Sequence, residues 1–150
     1  MVNVERVPVN LLLNKVAQKL KEDKRVEVPE WVNFLKAGIH TEKAWENDDW
    51  YLVRLASTLR KLYLKGPIGI SKLSAEYGGR VDRGSKPYHP AKGSRYIVRN
   101  MFQTLEELGY AKKEKTGRVI SPQGVSLLEK SSKELIVELS KDNEVYKKFI

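Results

Sequence analysis

Apolar side chains recur every three or four positions along most of this chain, the spacing that places them on one face of an α-helix. The first such run begins at Pro8 and Asn10 and ends near residues 21–23. Its apolar face consists of Leu12, Val16, Ala17 and Leu20. After a short extended piece, Pro29 is suited to begin a brief helix that Gly38 stops. The N-terminal part of the chain is therefore predicted to be helical.

A stronger helical pattern covers residues 50–64. Asn47 or Asp48 can cap this helix, and Gly66 with Pro67 ends it. Further helices are predicted over 70–77, 94–108 and 121–139. The segment between the helices over 70–77 and 94–108 contains four glycines and is interpreted as a long loop.

A β-hairpin is predicted from residues 110–114 and 118–121, because strand-like residues flank a turn that contains Gly117. Three helices followed by a hairpin is the order of a winged helix, whose third helix usually meets nucleic acid. We therefore predict a mainly α fold, with a winged-helix-like domain of helices plus one β-hairpin over about 48–122 and extra N- and C-terminal helices. The 150 residues suffice for one domain over 1–150.

The composition narrows the function classes. With 28 Lys and Arg against 19 Asp and Glu, the chain has a formal net charge of +9, which attracts polyanions such as nucleic acid. The chain has no cysteine, so no disulfide framework or thiol nucleophile is expected. No apolar run approaches the roughly 18 residues of a membrane span, and the N-terminus lacks the pattern of a secretory signal. We therefore expect a cytoplasmic protein without a membrane partner.

No motif for catalysis or cofactor binding is evident, since a Walker-type loop, HExxH and G-x-S-x-G are all missing from the sequence. His40 lies near Glu42 and Glu46, but a metal site needs three or four converging ligands. A solvated histidine is therefore the expected structure there. We predict a protein that is not an enzyme and has no cofactor, no metal and no catalytic residue.

Much of the net charge lies in one segment. Residues 77–100 contain six cations and a single acid, Asp82, and so carry five of the nine net positive charges. The cations are Arg80, Arg83, Lys86, Lys92, Arg95 and Arg99. By contrast, residues 42–49 are acidic and the C-terminal helix mixes both signs, as solvated faces usually do. A polyanionic partner is therefore expected at residues 77–100.

The predicted helix over 50–64 has an apolar face and a cationic face. At 100° per residue, the apolar stripe consists of Leu52, Leu55, Leu59 and Leu62. Almost opposite lie Arg54, Thr58, Lys61 and Lys65, flanked by Ser57 and Arg60. Such a face could simply be solvated, but no acid is within reach to relieve the mutual repulsion of its cations. Because phosphate groups would relieve it, these six residues are candidate RNA contacts.

The predicted helix over 94–108 repeats this arrangement. Ser94 is its cap, and Arg95 and Arg99 align at i, i+4 spacing near its N-terminus. The helix dipole disfavours cations at this end and favours anions. The dipole and the two arginines together are therefore predicted to form a phosphate site.

The glycine-rich segment before that helix has the composition of an RNA clamp. Its glycines would let the backbone approach a partner, its prolines restrict the loop, and its cations can follow a phosphate chain. Tyr77, Tyr88 and His89 are available to stack on bases or sugars. The candidate contacts in this segment are Arg80, Arg83, Lys86, His89 and Lys92. A flexible insertion with incidental charge is the alternative, although loops of this length are uncommon in compact domains unless functional or disordered.

Several short motifs occur in an order that resembles a known family. They are Val28-Pro29-Glu30-Trp31-Val32, Ala56-Ser57-Thr58 followed by Leu62-Tyr63-Leu64, Tyr77-Gly78-Gly79-Arg80, Gly93-Ser94, Leu105-Glu106-Glu107-Leu108 and Pro122-Gln123-Gly124. Their order and spacing, from Val26 to Leu128, resemble small-subunit ribosomal protein nineteen of the archaeal and eukaryotic "e" type. The Lys-rich, Cys-free composition favours an archaeal member.

The resemblance implies a structural protein of the small-subunit head that binds the 3′ major region of the ribosomal RNA beside neighbouring subunit proteins. It also implies a part in subunit assembly and ribosomal RNA maturation, with no enzymatic activity and no cofactor. Matching motifs assign RNA binding to Arg54, Arg60 and Lys61 on the central helix. They assign it also to Arg80, His89, Lys92, Arg95 and Arg99. The assignment of Arg83 and Lys86 depends on charge alone.

Two other classes of protein stay open at this point. A winged-helix DNA-binding transcription regulator would insert the helix over 94–108 into a major groove and would usually be a dimer. No dimerisation helix is evident in the sequence, and the free protein is expected to be a monomer. A protein-interaction or assembly module would carry its charge incidentally.

Overall fold

Five α-helices and two β-hairpins form most of the described structure, residues 4–142 and 144–149 of this computed structural model. The helices are α1 (Val9–Glu22), α2 (Trp50–Lys65), α3 (Ile70–Glu76), α4 (Arg95–Glu107) and α5 (Pro122–Asp142). The strands are β1 (Gly79–Arg83), β2 (Lys86–Ala91), β3 (Ala111–Glu114) and β4 (Gly117–Ile120). Short 3₁₀ turns occupy Val4–Arg6, Glu30–Phe34 and Glu144–Phe149. The prediction of a mainly α, winged-helix-like fold is confirmed.

Helix α2 lies at the centre of the core, in contact with α1, α4 and α5. Its predicted apolar stripe is confirmed, because the side chains of Leu52, Leu55, Leu59 and Leu62 are all buried. The predicted stripe of α4 is buried as well, from Ile97 to Leu108. Amphipathic helices bury such stripes against one another, so the helical periodicity accounts for this part of the fold.

The β3–β4 hairpin is the wing, and it is joined to the segment between α2 and α3. Ile68 and Arg118 exchange both backbone hydrogen bonds, each with an N–O distance of 3.0 Å. The Arg118 side chain reaches back to α4, where its Nε donates to Glu106 Oε1 at 3.0 Å. These bonds hold the wing against α4 and against the segment between α2 and α3.

The caps of the two amphipathic helices differ from each other. At α4, Ser94 Oγ accepts from the Ile97 N–H at 3.4 Å, as predicted. At α2 the cap residue is Asp49 rather than the predicted Asn47 or Asp48. The Asp49 side chain makes no capping hydrogen bond. Asn47 lies two residues before this cap, and its Oδ1 accepts from the Asp49 N–H at 2.9 Å.

The segment predicted to be a long loop is a second hairpin, β1–β2, so the fold contains one more hairpin than expected. Its two-residue turn contains Gly84 at φ +69°, the left-handed conformation that glycine adopts most readily. Pro87 and Pro90 are compatible with β2 because this strand has a single neighbour and its other edge needs no donors. A register shift between Val81 and Arg83 makes the pairing irregular.

The base of this hairpin explains two of its glycines. A Cβ at Gly78 would lie 2.2 Å from the Ala91 carbonyl oxygen, and one at Gly93 would lie 2.9 Å from that of Tyr77. Ser74 fixes Gly93 with two hydrogen bonds. Its Oγ donates to the Gly93 carbonyl at 2.5 Å, and its backbone carbonyl accepts from the Gly93 N–H at 2.9 Å. The expectation that these glycines let a partner approach is therefore wrong, because the chain itself occupies the space.

Candidate nucleic-acid interface

Aromatic rings cover part of the cationic side of α2. The Arg54 guanidinium lies 4.5 Å from the centroid of the Tyr77 ring and 5.0 Å from that of the Trp45 ring. Trp45 itself stacks on Trp50, with 5.0 Å between centroids and 12° between planes. Burial lowers the pKa of Arg54 and raises the pKa of Tyr77. Arg54 therefore packs against the protein as well as carrying charge.

Ser57 and Thr58 hold the Tyr77 ring in that position. The Tyr77 hydroxyl donates to Ser57 Oγ at 3.0 Å and lies 3.2 Å from Thr58 Oγ1. Thr58 is fully buried, and its hydroxyl donates to the Arg54 carbonyl at 2.9 Å. The prediction that Thr58 lies on an exposed RNA-binding face is therefore wrong, because Tyr77 and Met101 of α4 lie against it.

The two lysines at the end of α2 share one carboxylate. Lys61 Nζ is 3.1 Å from Glu76 Oε2, and Lys65 Nζ is 2.6 Å from Glu76 Oε1. Lys61 Nζ also lies 4.1 Å from the centroid of the Tyr77 ring. Burial raises the pKa of Glu76, but the two ammonium groups outweigh it and the net pKa is below the usual range. The statement that no acid is within reach is wrong, because the acid comes from α3.

Arg60 lies on the flank of the same helix and is half-buried. Its Nε is enclosed and has no hydrogen-bond partner among the described residues. Arg60 therefore takes no part in the ion pairs that Lys61 and Lys65 make with Glu76.

The β1–β2 hairpin carries exposed cations on both of its faces. Val81 pairs with His89 and Arg83 pairs with Lys86, and cross-strand partners share a face. Because Val81 and Arg83 are two residues apart on one strand, all four side chains belong to the same face. The register shift is what brings Lys86 to the side of His89. Arg80 pairs with Pro90 and so belongs to the opposite face.

A groove between the first turns of α3 and α4 brings the next cations together. It has a volume of about 460 Å³ and is lined by Ile70, Ser71, Arg95, Tyr96 and Arg99. Lys92 closes one side, because its Nζ donates to Ser71 Oγ at 3.2 Å. Tyr96 is 58% exposed, and its ring packs on Trp31 with 5.5 Å between centroids. Ser94 contributes by capping α4.

Two groups of cations can now be distinguished by their surroundings. The braced cations are Arg54, Lys61 and Lys65. The unpaired cations are Arg80, Arg83, Lys86, Lys92, Arg95 and Arg99. All six unpaired cations are exposed, and none takes part in an ion pair within the described ranges. None of these six is therefore already neutralised by a carboxylate of the described chain.

Sequence reasoning missed several residues of this region. Glu76 at the end of α3 organises the braced cations together with Tyr77, which directly follows that helix. Tyr77 was expected to stack on bases or sugars, but its ring contacts Arg54 and Lys61 of the protein itself. The wing adds three exposed lysines, Lys112, Lys113 and Lys115. The run of charged residues in the wing could have predicted the exposure of these lysines. No sequence pattern predicts that Glu76 pairs with lysines of α2.

His40 differs from its prediction. It is half-buried rather than solvated, and its Nδ1 is enclosed without a hydrogen-bond partner in the described structure. A Cβ at Gly79 would lie 2.6 Å from its Cδ2, so the ring packs against the base of the β1–β2 hairpin. Across residues 4–142 and 144–149, no three His, Asp or Glu side chains converge as metal ligands would. Nor does that part of the chain contain a helix with the length and apolarity needed to cross a membrane.

The fold and the exposed cations define a winged-helix-like protein with a strongly positive surface. The sequence model of the family described as Ribosomal protein S19e matches residues 3–138. The chain is 53% identical to small ribosomal subunit protein eS19 of Thermoplasma volcanium over 150 residues, all of both proteins. It is 40% identical over 124 residues to small ribosomal subunit protein eS19G of Ascaris suum, covering 81% of this chain and 84% of that protein. The chain therefore belongs to the ribosomal protein S19e family, and the resemblance found in its motifs is confirmed.

Proposed function

We propose that this protein is a structural component of the small ribosomal subunit that binds the 3′ major region of the small-subunit ribosomal RNA. It supports subunit assembly and ribosomal RNA maturation, contacts neighbouring subunit proteins and acts in the cytoplasm on the ribosome. It performs no catalysis and is a single-domain monomer when free. Family membership supports the ribosomal part of this proposal.

The observation that carries RNA binding is the set of six unpaired cations on β1–β2, on its connection to α4 and on the first turn of α4. Binding to phosphates releases counterions, and a cation that is not already neutralised by a carboxylate contributes fully to that release. Tyr88 and Tyr96 are exposed among these cations and offer faces for base stacking. Backbone contacts with some stacking are typical of proteins that recognise folded RNA by shape.

Insertion of α4 into a DNA major groove is less well supported. The Glu27–Trp31 segment runs beside the outer face of α4, where it shares a second groove with Tyr96, Asn100 and Glu107. Two of the residues in this segment, Glu27 and Glu30, are exposed acids. A recognition helix needs this face free for base edges, and carboxylates beside it would repel the DNA backbone.

Binding of a transcribed 3′ major region fragment at several salt concentrations tests the proposal. We expect log K to fall linearly with log salt, with a slope set by several phosphate contacts. Duplex DNA of equal length serves as the competitor. If DNA competes as well as the RNA fragment does, specific recognition of ribosomal RNA is contradicted.

Sedimentation of cell extract at high salt tests the ribosomal part separately. We expect the protein to migrate with the small subunit. Migration as a free monomer under these conditions would contradict a structural role in the subunit, even if the purified protein bound RNA.

A further inference from the structure

A second groove on this protein has the opposite electrostatic character to the surface proposed for RNA. It lies between the segment 27–31 and the outer face of α4, with a volume of about 470 Å³. We call it the acidic groove, since three glutamates, Glu27, Glu30 and Glu107, are among the residues that line it. All three are exposed.

None of these three glutamates is neutralised by a neighbouring cation in the described structure. Some other glutamates of the protein are neutralised, with Glu76 paired to Lys61 and Lys65, Glu106 to Arg118, and Glu134 to Lys19. Within the described structure, no lysine or arginine lies within ion-pair distance of Glu27, Glu30 or Glu107. The residues that line this groove therefore include three unpaired acids and no cation, although the chain has a net charge of +9.

The lining of the groove also includes aromatic rings and side-chain amides. Trp31 and Tyr96 line it, with their rings 5.5 Å apart, and Tyr96 is more than half exposed. Asn100 and Gln103 present side-chain amides from successive turns of α4. Aromatic faces accept guanidinium groups, carboxylates bind them through paired hydrogen bonds, and amides can bond an extended peptide backbone.

We propose that the acidic groove binds an extended arginine-rich segment of a partner protein. Charge complementarity selects this occupant, because three unpaired carboxylates repel the phosphates of RNA and attract guanidinium groups. Arginine fits better than lysine because its planar group stacks on Tyr96 while bonding to a glutamate. Tyr96 borders both this groove and the α3–α4 groove, but none of the unpaired cations lines the acidic groove.

Titration of the full-length protein with a hexa-arginine peptide, followed by NMR of the backbone amides, tests this inference. We expect the chemical shifts of the amides at residues 27–31 and 96–107 to change most. A hexaglutamate peptide should leave the shifts of these amides unchanged. Glu30→Lys should weaken peptide binding roughly fivefold, and adding Glu107→Lys should weaken it roughly twentyfold in total. Both positions are exposed, so the variants should keep the wild-type melting temperature.

Glu42→Lys is the matched control, because Glu42 is an exposed acid that does not line the groove. Its affinity for the peptide should equal that of the wild type. Equal losses for Glu42→Lys and Glu30→Lys, shifts centred on residues 42–49, or no binding at all would overturn the proposal. So would displacement of the peptide by oligouridylate with shifts at the same amides, which would assign the groove to RNA instead.

Discussion

The braced cations of α2 and the unpaired cations of β1–β2 and α4 have the same chemistry but different surroundings. Arg54, Lys61 and Lys65 are tied to Tyr77 and Glu76 of the neighbouring segment. Arg83, Arg99 and the other unpaired cations lie on exposed surface with no such partner in the described ranges. Spacing on a helix shows that cations share a face, but it does not show whether their charge is available. The two groups should therefore respond differently to the same substitution.

The largest expected effect on stability comes from a substitution at Gly78. This glycine lies at the base of the β1–β2 hairpin, which carries three of the six unpaired cations. Gly78→Ala would place a Cβ 2.2 Å from a backbone oxygen that cannot move without disturbing the hairpin. We expect the free energy of unfolding to fall by about 3 kcal/mol, as for a severe overpacking substitution. Chemical denaturation measures this change.

Gly69→Ala is the control for that substitution, because a Cβ there meets nothing within 4 Å. Its free energy of unfolding should stay close to that of the wild type. Equal stability of both variants would show that the hairpin base is loose, and the unpaired cations would then not be held in place by Gly78.

The next effect separates packing from charge at Arg54. Arg54→Ala removes a guanidinium that contacts the rings of Trp45 and Tyr77. We expect a loss of about 1 to 2 kcal/mol in unfolding free energy, the range for a partly desolvated cation–π contact. The salt slope of RNA binding should change little. Arg54→Lys should restore only part of the stability, because an ammonium group cannot stack as a planar group does.

Arg99→Ala should show the reverse behaviour. Arg99 is exposed beside the α3–α4 groove, so its loss should leave the melting temperature unchanged. Each phosphate contact that is lost should reduce the magnitude of the salt slope by about 0.7 to 0.9. Arg83→Ala should behave in the same way if the hairpin also contacts RNA. If Arg99→Ala lowers stability without changing the salt slope of RNA binding, Arg99 has a structural role instead.

Local patterns in the sequence predicted the parts of the fold that depend on local physics. The leucine stripe of α2, the Ser94 cap and the wing follow from helical periodicity, capping and turn chemistry, and all three are present. The β1–β2 hairpin was missed because Pro87 and Pro90 argue against a strand and its residues show little apolar alternation. The Gly84-Ser85 pair was the overlooked signal, since such a pair favours a two-residue hairpin turn.

The state of the braced cations could not be predicted from α2 alone. Tyr77 and Glu76 contact α2 through the tertiary fold, and no local sequence pattern encodes those contacts. The unpaired cations were easier to predict, because their exposure follows from a segment with few apolar residues. Sequence therefore predicted the exposure of charged side chains more reliably where tertiary contacts are few.

The smallest effect concerns Glu76, whose carboxylate holds Lys61 and Lys65. Its folded pKa is below the ordinary value of 4.5, so its ionised form stabilises the folded state above that pH. This contribution is lost as the pH falls through the folded pKa. Glu76→Gln should therefore lower the melting temperature slightly at neutral pH and make it less dependent on pH in the acid range. Thermal unfolding followed at several pH values measures both changes.

The same substitution also tests whether bracing limits the charge of α2. Removing the carboxylate releases two ammonium groups, so RNA affinity at low salt should rise modestly and the salt slope should become steeper. Glu114→Gln is the control, because Glu114 is an exposed acid of the wing with no ion pair in the described part of the chain. If Glu114→Gln raises affinity as much as Glu76→Gln does, the gain reflects net charge alone. Lys61 and Lys65 would then be distant from the RNA whether or not they are paired.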